Sequence, residues 1–148
     1  MSFSTLRPQI KTLLDTQSEI GEVSGYPKVK FNTYPGVYVV PSDNESDYET
    51  TTENIRTYAF IVRVFYETKH TGVEDSLEAL EELVDSLLDV FDQEDQKGAS
   101  SRIVDINLPS GYTFLNIWAT PAEWGEVPEE SLLMAEILVK VRISRDVT

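Results

Sequence analysis

Residues 41–56 read PSDNESDYETTTENIR. Five carboxylates (Asp43, Glu45, Asp47, Glu49 and Glu53) fall here before Arg56 supplies the first base. Closely spaced carboxylates are the donors that calcium takes, and Asp43, Glu45 and Asp47 match the first, third and fifth places of a helix–loop–helix calcium loop. The match then fails. The sixth place needs glycine and holds Tyr48, and the twelfth needs a bidentate glutamate and holds Asn54. Strand-like runs flank the segment where helices are required. The run therefore reads as a solvated acidic loop that acts through its charge, with no metal ligand assigned.

Other chemistry finds less support. The one histidine, His70, sits at a strand-to-helix turn with Glu67, Thr68 and Thr71 around it. A serine or threonine nucleophile needs a base that a third group orients, and nothing here forms that arrangement. Acids are abundant, but no pair stands out for glycoside hydrolysis. SGYPKVK and YPGVY lack the spacing of a nucleotide-binding glycine loop. Lys28 and Lys30 beside Tyr26 and Phe31 are the sole basic–aromatic cluster, and local ion pairs explain them. Tyr112 and Trp118 read either as packing residues or as anchors in a protein interface. Trp124, next to a glycine, reads either as a cap on the core edge or as an interface anchor. No catalytic residue, no cofactor and no enzyme activity are expected.

The charge balance points the same way. The chain has 148 residues, 26 acids and 12 bases, for a formal charge of −14. Such a surface repels free nucleic acid and anionic membranes. No apolar run approaches the roughly 18 residues of a membrane span. The absence of cysteine rules out disulfides and thiolate metal clusters. The start of the chain lacks the pattern of a signal peptide, so a soluble protein made in a cytoplasm is expected.

The elements that must position these residues follow from periodicity. In residues 4–16, Leu6, Ile10, Leu13 and Leu14 recur at helical spacing. Gly21, Gly25 and Pro27 interrupt, residues 29–31 read as a short extended piece, and residues 36–40 as a strand. Residues 54–69 alternate with both faces partly apolar, the pattern of a long central strand that outruns its sheet. Residues 73–91 place Val73, Leu77, Leu80, Val84, Leu87, Leu88 and Phe91 on one helical stripe, with acids mostly off it. Residues 103–106 read as a short strand and residues 112–120 as a strand. PAEWGEVPEES reads as a connection, and residues 132–144 as a closing strand. That strand turns Leu133, Ala135, Ile137, Val139, Val141 and Ile143 to one side, and Glu136, Lys140 and Arg142 to the other. The expectation is one α+β domain over residues 1–148. It has a mostly antiparallel four-stranded sheet in the order helix–strand–strand–helix–strand–strand, two helices packed on one face, and a long protruding hairpin.

RTYAFIVRVFYE, then EDSLEALEELVDSLLDVFD, then FLNIWATPAEWGEV, then LLMAEILVKVRIS, together resemble the tail terminator proteins of long-tailed, siphovirus-type bacteriophages. The resemblance spans residues 34–145 and rests on element order and size, not on invariant residues. It implies a structural virion protein of the tail or neck that forms a homohexameric ring on the tail tube protein. Such a ring ends tube polymerisation and offers a docking face to the head–tail connector or stopper. It has no catalytic residues to carry over. Genomic DNA would pass through without specific binding, which suits six copies at 6 × −14 = −84. The residues expected at such contacts are Asp43, Glu45, Asp47, Tyr48 and Glu49 of the acidic loop, Arg56 and Arg63 as reaches to a neighbour's carboxylate, Trp124, and the partly apolar second face Leu132, Met134 and Leu138. The competing readings are a neck or head–tail completion protein of similar fold, and an acidic binding module of non-viral origin.

Overall fold

The computed structural model describes residues 3–28, 30–42, 47–48, 55–68, 72–91 and 108–145. Helix α1 spans Phe3–Asp15, followed by strands β1 (Glu22–Ser24), β2 (Gly36–Pro41), β3 (Asp47–Tyr48) and β4 (Ile55–Glu67). Helix α2 spans Val73–Val90, then come β5 (Tyr112–Val127), a 3-10 turn at Pro128–Glu130, and β6 (Leu132–Arg145). Both helices, the β2–β4 pair and the β5–β6 pair lie where periodicity predicts them. The expected extended piece at 29–31 is not a strand at its described residues, and the expected strand at 103–106 lies outside the described residues.

The sheet runs in the order β1-β2-β4-β6-β5, with β3 also pairing β4. This corrects the four-stranded expectation. β1 adds a parallel edge, with Glu22 opposite Gly36, so the sheet is mixed. β3 adds Asp47 opposite Thr57 and Tyr48 opposite Arg56, antiparallel. Both additions are two or three residues long, too short for any periodicity to mark.

The protruding β4 is also corrected. All 13 of its residues pair with β6, from Ile55 opposite Ser144 to Glu67 opposite Leu132. The long hairpin is β5–β6, with strands of 16 and 14 residues. β5 continues through the segment expected to be a connection, because it is the sheet edge. There Pro121 has a neighbour on one side only, and a register shift between Pro121 and Trp124 absorbs the irregular backbone. Its residues 120–126 are all exposed.

One face of the sheet receives both helices. Leu6, Ile10, Leu13 and Leu14 of α1 join Leu80, Leu83, Val84, Leu87 and Val90 of α2 in one cluster, over Val37, Val39, Phe60, Val62, Val64 and the odd-numbered apolar residues of β6. Apolar burial of this kind stabilises by about 25 cal/mol per Å². Gly72 opens α2 at φ 80, a backbone angle that L side chains rarely adopt. The buried place in the first turn goes to Ser76, whose Oγ donates to the Glu67 carbonyl at 3.3 Å. Val73 and Leu77 are thereby turned to the flank, at 58% and 40% exposure, so the first two residues of the expected stripe are not core.

Candidate functional site

The sheet face turned away from the helices is built by register. Directly opposed residues of neighbouring strands share a face, so the pairings define rows across it. One row is Gly36, Phe65, Met134 and Gly125, and the next is Tyr38, Arg63 and Glu136. Then come Val40, Ile61, Leu138 and Thr120, followed by Ala59, Lys140 and Trp118, and by Thr57, Arg142 and Asn116.

The first row is covered within the chain. Gly36 has no side chain, and the Phe31 ring fills the space that a Cβ there would need. Phe31 lies 5.8 Å from both Phe65 and Tyr34, centroid to centroid, and Tyr38 lies 5.9 Å from Phe65. These aromatics bury Leu132 and take Met134 against them. Of the three apolar residues expected to meet a neighbour, Leu132 is buried inside the fold, and Met134 and Leu138 are partly exposed.

The second row is an ion-pair network. Arg63 Nε donates to Glu136 Oε2 at 3.2 Å, and Arg63 Nη1 donates to the Tyr38 hydroxyl at 2.5 Å. Partial burial opposes the guanidinium charge, but the Tyr38 and Glu136 oxygens outweigh it and hold Arg63 above its ordinary pKa. Arg63 is thus engaged by its own chain. The rows beyond are partly exposed at Val40, Ile61, Leu138, Trp118, Lys140 and Arg142. Across the rows from Tyr38 to Asn116, the described residues of this face include three bases (Arg63, Lys140, Arg142) and one acid (Glu136).

The outer face of α2 is acidic. α2 carries seven acids and no base, and Glu74, Asp75, Glu78, Glu81, Glu82, Asp85 and Asp89 are all exposed. An open cleft of about 320 Å³ lies beside this helix, lined by Glu19, Pro35, Tyr66, Ala79, Glu82, Leu83 and Ser86. Among the described residues, its lining holds carboxylates and hydroxyls and no histidine, lysine or arginine.

The residues singled out from sequence do not converge on one site. Arg63, Leu132, Met134 and Leu138 share the face away from the helices. Arg56 and Trp124 lie on the helix side, opposite Ile143 and Ala135. Arg56 Nη1 donates to the Tyr58 hydroxyl at 3.2 Å, and Trp124 is 47% exposed. Asp47 and Tyr48 form β3. Asp43, Glu45 and Glu49 lie outside the described residues. Val40, Ile61 and Trp118 were not singled out for this face. Alternation gives each residue's side, but it does not say which strands meet.

No protein-family model matches the chain. No curated protein sequence matches it either. Its fold is similar to that of a chain in a solved structure described as the virion of a native gene transfer agent particle. The match has a TM-score of 0.56 and 15% sequence identity, and covers 97% of this chain and 99% of that one. At this identity the likeness is one of fold.

Proposed function

We propose that this chain is a structural, non-enzymatic subunit of a phage-type particle. Its proposed place is the tail terminator: a ring on the last ring of the tail tube that ends tube growth and receives the head connector. The observation that carries the reading is the near end-to-end fold match to a virion chain, 97% of this chain on 99% of that one. The pattern of strands and helices that resembles tail terminators supports the finer placement. So do the acidic outer face of α2 and the exposed edge strand β5, which suit a part that contacts several partners.

The test is a particle lacking this gene, imaged by electron microscopy with complementation in trans. The expected result is tubes of irregular, excess length without attached heads. Tails of uniform length that fail only to join heads would move the protein to the neck. Normal particles would overturn the structural reading.

A further inference from the structure

We infer that the connection between β1 and β2, residues 25–35, is a strap that opens as a unit, with Phe31 as its plug and Glu22 as its latch. Its opening uncovers the aromatic and apolar patch of Tyr38, Phe65 and Leu132 on the sheet face turned away from the helices. β1 and β2 run parallel, so the chain must travel back along the sheet between them. A helix usually makes that crossing, but the described residues of this connection form neither helix nor strand. Among them Phe31 alone is buried.

The two ends of the strap are pinned to the body of the fold. Arg7 Nη1 of α1 donates to the Gly25 carbonyl at 2.7 Å, and the Gly21 N–H donates to the Pro35 carbonyl at 2.8 Å. The middle is held differently. Three donors converge on the Glu22 carboxylate of β1: the Lys28 ammonium, the Asn32 backbone N–H at 2.8 Å, and the Thr33 backbone N–H. These donors flank Phe31 in sequence on both sides, so one carboxylate sets the position of the ring. Lys28 Nζ also lies 5.0 Å from the Phe31 centroid, a cation–π contact. A further ionic tie, Lys30 to Glu130 at 3.8 Å, has an exposed lysine and contributes little.

The plug seats on a glycine. A Cβ at Gly36 would fall within the Phe31 ring, so the ring lies directly on the β2 backbone, with Phe65 and Tyr34 each 5.8 Å away. Opening releases one ring and one carboxylate cluster. It leaves both helices, the β4–β6 pairing and the core between them in place. A local opening of this kind requires less free energy than global unfolding. The side chains it uncovers form a contact surface that the closed strap withholds.

The absence of cysteine allows a direct test. Leu132→Cys and Ile137→Cys, made separately, place single thiols on opposite faces of β6, one in the patch that Phe31 covers and one beneath the helices. Iodoacetamide labelling of the folded chain, read by mass spectrometry, should modify the Leu132→Cys thiol more than about tenfold faster than the Ile137→Cys thiol. Adding Glu22→Ala should speed labelling of Leu132→Cys several-fold and leave that of Ile137→Cys within about twofold. Phe31→Ala should do the same. So should Gly36→Ala, which removes the seat and keeps the ring. Circular dichroism follows folding, and if Gly36→Ala does not fold, Glu22→Ala and Phe31→Ala still decide the result. Equal labelling of the two thiols, or a Glu22→Ala change that speeds both alike, would mean that the patch opens only when the whole chain unfolds, and would overturn the inference. Fast labelling of Leu132→Cys that ignores Glu22, Phe31 and Gly36 would mean that the thiol is reached by another route, and would overturn it as well.

Discussion

At the scale of single residues, Leu80 and Leu87 are fully enclosed between α2 and the sheet, whereas Glu78 and Glu82 face water on the same helix. Leu80→Ala or Leu87→Ala should each cost about 2–5 kcal/mol, since the sheet beneath has little freedom to collapse onto the gap. Glu78→Ala and Glu82→Ala should stay within about 0.5 kcal/mol. Urea unfolding of the four variants measures this, and equal effects at all four would contradict the assigned face. Glu22 makes a residue-scale pH prediction. Its carboxylate is held below its ordinary value of 4.5, first by a hydrogen bond from Lys28, then by the Asn32 backbone N–H at 2.8 Å. A depressed carboxylate stabilises the fold above its unfolded pKa, and that contribution is lost as pH falls through the lower folded value. Glu22→Gln should therefore lower Tm by a constant amount above about pH 5, and the gap to wild type should close as pH drops below 4.5. Both partners are solvent-accessible, so added salt should shrink the gap. A gap that widened in acid would refute the assignment.

Among the elements, β4 and β6 are the spine. β4 is flanked by β2 and β3 on one side and by β6 on the other, and β6 lies between β4 and β5. Their amides should be among the slowest to exchange with deuterium, because releasing them requires both neighbours to separate. The outer half of β5, exposed from Thr120 to Glu126, should exchange many times faster. Hydrogen-exchange mass spectrometry resolves the two. Protection of residues 120–126 equal to that of β4 in the isolated chain would mean that something already covers this edge. The same contrast explains how much of the elements was legible. Strict alternation in residues 132–144 and the helical stripe from Leu80 onward are set by burial and show in the sequence. β5 beyond Thr120 was not legible, because an edge strand tolerates proline, glycine and a register shift that elsewhere would end it.

For the whole molecule the governing quantity is a charge of −14, with seven acids and no base on α2. Divalent cations should gather near it diffusely. Calorimetric titration with calcium and magnesium should show weak, non-saturating heats that about 0.15 M salt suppresses. A saturable one-to-one site lost in Asp43→Ala would contradict this. The sequence by itself determined the α+β class, both helices, the main strands and the acidity. Composition and period report directly on burial and on the two repeat lengths, 2 and 3.6 residues. Tertiary structure alone decided which strands are neighbours. It placed Phe31 over Gly36, so that Leu132 is covered by its own chain, and it tied Arg63 to Tyr38 and Glu136. It also set Val40, Ile61 and Leu138 in one row while sending Trp124 to the other side of the sheet. Many of these contacts join residues far apart in the chain, such as Arg63 and Glu136, separated by 73. Local pattern has no access to them, since a one-residue slip in register would reverse every side.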